Sequence, residues 1–153
     1  MTAVFASAAE LQARIGQEVA VSEWLEIAQP RVDQFAEATE DRQWIHLDAE
    51  RSRRESPYGG TIAHGFLSLA LVSSLLEQAV RIGGIAMGLN YGLNRVRFPA
   101  PVPVGARIRG HFVVQACEPI PGGHQIAWGV TIAVEGSPKP ACVAEWIVRL
   151  YHG

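Results

Sequence analysis

The run from Gly65 to Val80 constrains the fold most, because it is apolar on nearly every side of a helix. Ser68, Ser73 and Ser74 are its few interior polar groups. A helix that is apolar all round has to be buried. The rest of this 153-residue chain must therefore supply elements that enclose this one helix.

After Gly83-Gly84 the hydrophobic period changes to two, which is typical of strands with one buried face. We expect turns over 119–123 and 136–140, and prolines interrupt pairing after Phe98. The sequence predicts an α+β fold in which one long buried helix is wrapped by a curved antiparallel sheet. A free sheet edge would favour pairing with a second copy. The predicted inward faces comprise Ile108, Phe112, Val114 and Ala116, then Ile126, Trp128, Val130, Ile132 and Val134, then Cys142, Ala144, Trp146, Val148 and Leu150.

Between the N-terminus and the buried helix the pattern predicts a second helix and a loop. Pro30 suits the first position of that helix, which should stop near Glu40. From Asp41 to Thr61 the periodicity breaks up, with room for one helical turn around Ala49 to Arg53.

Composition narrows the class of protein. Hydrophobic residues make up 48% of the chain and charged residues 18%, which predicts one globular domain. The net charge of −2 predicts neither nucleic-acid nor membrane binding. No signal peptide or long apolar span is evident, and Cys117 and Cys142 fit reduced, buried thiols. We therefore expect a cytoplasmic protein.

Asp41 and His46 lie in the segment that follows the second predicted helix. If the chain turns between them, the carboxylate and the imidazole can hold one water molecule. One group would take its proton while the other orients it or supplies a proton. The spacing fits equally a carboxylate that caps a helix end and a histidine hydrogen-bonded within a loop.

Thr61 to Gly65 opens the predicted buried helix. The first N–H groups of a helix have no partner within it, and glycine lets a ligand approach the main chain closely. Such a position can stabilise a carbonyl oxygen that gains negative charge, although an ordinary capped helix start fits the same residues. The five histidines show no compact metal-binding spacing, so we expect no metal.

Three segments together carry a resemblance to a known family. They are Phe35-Ala36 leading to Asp41 and Gln43 to Asp48, then Ile62 to Leu67, then Asn90 to Gly105, with Lys139 to Glu145 in support. They resemble the MaoC-like hydratases, the (R)-specific enoyl-CoA hydratases with a hot dog fold, and the subgroup that matches best contains nodulation protein N-like and mycobacterial enoyl-CoA hydratases. The resemblance covers nearly the whole chain and implies one hot dog domain over residues 8–151.

The resemblance implies roles for individual residues. Asp41 and His46 match the catalytic pair, and Gly65 matches the glycine whose N–H polarises the thioester carbonyl. The implied substrate-binding residues are Gly65, His64, Ser73, Asn90 and Asn94. The implied reaction is hydration of a trans-2-enoyl-CoA to the (R)-3-hydroxyacyl-CoA by a homodimer, with no cofactor besides the CoA of the substrate. An acyl-CoA thioesterase on the same fold, or a non-catalytic acyl-thioester-binding protein, remains the alternative.

Two features depart from the family pattern. Glu40 occupies the position where the family usually has a glycine before the catalytic aspartate. This replacement removes the freedom of glycine to adopt positive φ, and it places a second carboxylate beside Asp41. A helix-end Glu40 that faces solvent is the simpler interpretation. Arg51, Arg53 and Arg54 form a small basic group that either meets CoA phosphates or lies on a solvated loop.

Overall fold

The computed structural model describes all residues, 1–153, as an antiparallel sheet packed against a central helical segment. The helices are α1 (Gln29–Thr39), α2 (Trp44–Leu47), α3 (Ala49–Glu55), α4 (Gly65–Ala70) and α5 (Val72–Ala79), preceded by a 3-10 helix over Ala8–Arg14. The strands are β1 (Ala3–Phe5), β2 (Glu18–Val21), β3 (Leu25–Glu26), β4 (Val80–Ile82), β5 (Ile85–Arg97), β6 (Arg107–Ile120), β7 (Gly123–Val134) and β8 (Cys142–His152).

The main sheet has six strands in the order β2-β6-β7-β8-β5, with β3 also paired to β6. All of its pairings are antiparallel. A small second sheet pairs β1 with β4 in parallel. β5 is an edge strand, bonded only to β8, and it follows directly from the central helical segment through β4.

The predicted inward faces of β7 and β8 are confirmed, since every predicted member of β7 is buried and only Leu150 of β8 is partly exposed. In β6 the prediction fails at Ala116. The pairing register shifts between Val114 and Ala116, so Gln115 is an extra residue and the alternation changes face. Cys117 is buried in place of Ala116.

The turn predicted over 119–123 is shorter in the structure. Pro119 pairs with His124 and Ile120 with Gly123, so the strands extend to a two-residue turn at Pro121 and Gly122. Gly122 has φ 78°, as tight hairpin turns require. The connection between β7 and β8 lies where it was predicted.

The predicted single helix is two helices that meet at Leu71. Its φ of −74° and ψ of −10° depart from regular helix, but the N–H of Leu71 still bonds the carbonyl of Leu67. The segment is also less enclosed than predicted. Leu75 and Ala79 are buried against the sheet, whereas Phe66 is 69% exposed. One side of this helical segment therefore borders open space in a single chain.

Candidate active site

The end of α1 sets the position of Asp41. Glu40 caps the helix in the left-handed conformation, with φ 61° and ψ 17°, and it is the one non-glycine residue of the chain with positive φ. Its side chain is exposed, as the simpler interpretation expected. The left-handed residue ends the helix, and Asp41, which follows it, is partly buried.

Replacement of Glu40 by glycine is expected to stabilise the protein. A side chain in the left-handed region costs about 1 kcal/mol, which glycine does not incur. We expect Glu40→Gly to raise the melting temperature by about 2–4 °C in a thermal unfolding measurement.

The matched control is Ala38→Gly, two residues earlier on α1 and also exposed. The backbone at Ala38 is helical, so glycine at this position should lower the free energy of unfolding by about 1 kcal/mol. Equal effects of the two glycines on the melting temperature would contradict strain at Glu40.

His46 lies on a helix rather than in the predicted loop. The short helix α2 spans Trp44–Leu47, and the imidazole is only 6% exposed. Its Nδ1 is 2.7 Å from the carbonyl oxygen of Ile62. A carbonyl only accepts, so Nδ1 carries the proton and donates it. The lone pair of the neutral ring is then on Nε2, which has no hydrogen-bond partner in the protein.

Burial lowers the pKa of His46 below its ordinary value, and the neighbouring His64 lowers it further. The hydrogen bond to the Ile62 carbonyl and the charge of Asp41 oppose this shift without cancelling it. The depressed pKa keeps His46 neutral down to a lower pH than a free imidazole. A neutral ring with a free Nε2 is able to accept a proton.

His64 links the two candidate catalytic groups. Its ring is 3% exposed and stacks on the ring of His46, with centroids 3.8 Å apart and planes inclined by 23°. On another side it contacts Phe35, at a centroid distance of 4.9 Å. Its Nε2 donates to the main-chain carbonyl of Asp41 at 2.9 Å. The side chain of His64 therefore holds the Asp41 main chain beside the His46 ring.

Asp41, His46 and His64 each offer an atom within 4.8 Å of the other two, a grouping that could be considered for a metal. A nitrogen lone pair lies in the plane of its ring, so two nearly parallel stacked imidazoles do not direct theirs at one ion. The absence of a metal at this site stays a prediction.

Gly65 is the first residue of α4, and its N–H makes no backbone hydrogen bond within the protein. The ring of Phe98 lies close above it: a Cβ on Gly65 would meet that ring at 3.2 Å. A cavity of about 220 Å³ is lined by Gly65 together with both members of the candidate catalytic pair. Its lining consists of Asp41, His46, His64, Gly65, Phe66 and Phe98.

Ser68 is a site residue that the sequence did not single out. It is 2% exposed, on α4, and lines a cavity of about 310 Å³ together with His46, Gly65 and Tyr58. Ser68 lies four residues after His64, whose main-chain carbonyl accepts a hydrogen bond from the Ser68 N–H at 3.4 Å. That spacing was the available signal, but a serine within an apolar helix is also an ordinary interior polar group.

Of the other predicted substrate-binding residues, Ser73 lies farther along the helical segment, and Asn90 and Asn94 lie on β5. Ser73 and Asn90 line two neighbouring cavities, of about 310 and 210 Å³, which also share Trp146. The Oδ1 of Asn90 accepts a hydrogen bond from Nε1 of Trp146 at 3.0 Å. Asn94 is exposed on β5 and lines neither cavity. Phe66 borders both the larger of these cavities and the catalytic one.

The basic group lies on helix α3 rather than on a loop. Arg51 is engaged with the protein, since it pairs with Glu55 at 2.9 Å and its guanidinium lies 4.2 Å from the centroid of the Trp44 ring. Arg53 and Arg54 are exposed in the last turn. Contact of these two with CoA phosphates stays a prediction.

The stacked histidines, the Asp41 carboxylate and the free N–H of Gly65 belong to residues that line one cavity at the start of the central helical segment. The family model described as "MaoC like domain" matches residues 10–134, and the chain belongs to that family. It is 50% identical over 146 residues to 3-hydroxyacyl-thioester dehydratase Z of Mycobacterium tuberculosis, covering 95% of this chain and 96% of the relative. It is 46% identical to nodulation protein N of Rhizobium leguminosarum bv. viciae, covering 92% and 89%.

The solved structures identify the fold. The unliganded R-hydratase PhaJ1 of Pseudomonas aeruginosa superposes with a TM-score of 0.72 at 24% identity, covering 96% of this chain and 86% of that one. The predicted hot dog fold is thereby confirmed. None of the helices has both the length and the apolar character needed to cross a membrane.

Proposed function

We propose that this protein is a hydro-lyase that adds water reversibly to the double bond of a trans-2-enoyl-CoA and forms the (R)-3-hydroxyacyl-CoA. The observation that carries the proposal is one cavity lined by Asp41, by His46 with its unprotonated Nε2, and by Gly65 with its unpaired N–H. The dehydratase name of the relative that is half identical to this chain supports the same reaction class.

In the proposed mechanism the substrate carbonyl oxygen accepts the N–H of Gly65. The Asp41 carboxylate accepts one O–H of a water molecule, and His46 Nε2 takes the proton of the other. The water oxygen bonds to C3 as the C2=C3 electron pair moves toward the thioester oxygen, giving an enolate that the Gly65 N–H stabilises. The enolate then reforms the carbonyl, and C2 takes the proton from the His46 imidazolium.

The cycle adds one water molecule across the double bond, and the proton that His46 takes from water ends on C2. His46 therefore ends neutral, as it began, and no cofactor is proposed beyond the CoA that arrives with the substrate. The acyl chain is proposed to pass Phe66 into the apolar cavity that Ser73 and Trp146 line, since Phe66 borders both spaces.

The direct test is the fate of crotonyl-CoA. We expect purified protein to consume the enoyl absorbance without release of free thiol, and a dehydrogenase specific for the (R) isomer should oxidise the product. Release of CoA thiol without hydration would identify a thioesterase instead. Saturable binding with neither change would identify a non-catalytic acyl-thioester-binding protein.

We also propose that the protein is a homodimer that pairs along β5. This strand has a free edge and carries large apolar side chains that are about half exposed in the single chain. A long apolar edge strand without a partner tends to pair with a strand of another chain. The exposed residues are Met87, Leu89, Tyr91 and Leu93, with Phe66 close to the same side.

Lysines on this edge should separate the subunits, because their charges cannot be buried between two strands. We expect the wild-type protein to have twice the chain mass in light scattering after gel filtration. The double variant Met87→Lys, Leu89→Lys should have the mass of a single chain. Val4→Lys is the matched control, since Val4 is also exposed but lies on β1. A wild-type protein of monomer mass would contradict the dimer.

A further inference from the structure

The main-chain carbonyl of His46 is held by a side chain from a different helix. Gln29, the first residue of α1, donates from Nε2 to this carbonyl oxygen at 2.7 Å. The same nitrogen donates to Oδ1 of Asp33 at 2.9 Å, and Oε1 accepts from the hydroxyl of Thr61 at 2.7 Å. Both N–H groups and the oxygen of the amide have partners, so its orientation is fixed.

Thr61 and its neighbour Ile62 hold α2 from the opposite side. The N–H of Ile62 donates to the carbonyl of Ile45 at 3.0 Å, and its own carbonyl accepts from Nδ1 of His46. The carbonyl of Thr61 accepts from the N–H of Val104 at 3.0 Å, which ties this segment to the rest of the protein. A closed ring of hydrogen bonds thus runs through Gln29, His46, Ile62 and Thr61.

The helix that carries His46 needs this support. α2 has only 4 residues, and a single helical turn has no stability of its own. Its position is therefore set by tertiary contacts, and the ring of hydrogen bonds fixes both the backbone and the imidazole of His46. Gln29 lines neither cavity at the catalytic pair, so it acts without touching the substrate.

We infer that Gln29 is a positioning residue for the reaction proposed above, with Thr61 as its anchor. It holds His46 at the distance from Asp41 and Gly65 that the reaction needs. The inference rests on the proposed function for its kinetic consequence. The hydrogen-bond ring itself does not depend on which reaction the site performs.

Gln29→Ala is expected to lower kcat by about 100-fold, because displacement of a reacting group by about 1 Å has an effect of that order. KM should change little, since the cavity lining is intact. Gln34→Ala, on the same helix but exposed and without a side-chain hydrogen bond, is the matched control and should retain wild-type kcat.

Thr61 provides a second pair of variants in case Gln29→Ala folds poorly. Thr61→Val keeps the shape but removes the donor to Gln29, so kcat should fall. Thr61→Ser restores the hydroxyl and should recover most of the loss. Equal kcat in the valine and serine variants would overturn the role of this hydrogen bond.

A readout independent of activity is the titration of the His46 ring, followed by NMR. The ionisable groups around it are His64, Asp41, Tyr58 across the larger cavity and, behind Gln29, Asp33. Without Gln29 the ring should be less enclosed, so its pKa should rise toward the ordinary value of about 6.5. The acidic limb of the kcat/KM profile should move to higher pH in the same variant.

The two measurements separate the two proposals. A wild-type protein that hydrates no enoyl thioester would overturn the proposed function, while the His46 titration would still decide the role of Gln29. A His46 titration and a kcat that match wild type in both Gln29→Ala and Thr61→Val would overturn the positioning role.

Discussion

His46→Gln and Asp41→Asn are each expected to lower kcat/KM for crotonyl-CoA hydration by about 10³-fold, within the range of acid–base catalysis. Glutamine can still hydrogen-bond but cannot take a proton from water. Asparagine keeps the size of Asp41 and removes its charge. Initial rates of enoyl absorbance loss, with melting temperatures near that of wild type, measure the effect.

The double variant and a distant histidine provide the controls. Because both groups act on one water, the double variant should lose little more than the worse single variant, far short of the product of the two losses. His152→Gln changes an exposed histidine at the end of β8 and should retain wild-type activity. Near-normal rates in either His46→Gln or Asp41→Asn would falsify the assigned pair.

The pH profile adds a test of which group is the base. Since burial depresses the pKa of His46, wild-type kcat/KM should persist below pH 6.5 and fall only as His46 becomes protonated. The Asp41 charge raises that pKa. The residual activity of Asp41→Asn should therefore have its acidic limb at lower pH than wild type. An acidic limb that moves to higher pH in Asp41→Asn would contradict the assignment of His46 as the base.

Gly65→Pro is expected to lower kcat/KM by about 10²–10³-fold, the effect of removing one oxyanion donor. Proline has no N–H, so the thioester oxygen would lose its proposed partner. The helix should tolerate the change, because proline is favoured at the first helical position. The preceding His64 already has φ −62° and ψ 137°, the extended conformation that proline requires of its neighbour.

The variant Gly65→Ala distinguishes the effect of losing the N–H from the effect of crowding against the Phe98 ring. Its Cβ would meet the Phe98 ring at 3.2 Å, so a shift of a few tenths of an ångström is needed, but the N–H remains. We expect only a small loss of kcat/KM in Gly65→Ala, and equal melting temperatures for Gly65→Ala and Gly65→Pro. If alanine and proline reduce kcat/KM equally, crowding by Phe98 rather than the N–H explains the result.

The features that the sequence predicted correctly are those set by local periodicity. The alternation in β7 and β8 placed Trp128 and Trp146 on the buried face, and both are buried. In β6 the alternation predicted the wrong face after Gln115, because this extra residue forms a bulge. A bulge depends on how two strands pair, which the alternation within one strand does not show. The helix of His46 was missed for a related reason. One turn is too short to show a period, and long-range hydrogen bonds hold it in place.

The order of residue types determined the buried faces of β7 and β8 and the α+β class, and its resemblance to a family predicted a site at Asp41, His46 and Gly65. Only the tertiary structure decided how these three residues are placed relative to one another. The proton of His46 lies on Nδ1 because a carbonyl 16 residues away, that of Ile62, accepts it. His46 is held in place because Gln29 meets Thr61 across 32 residues. Such contacts depend on how distant segments pack, which no local pattern records.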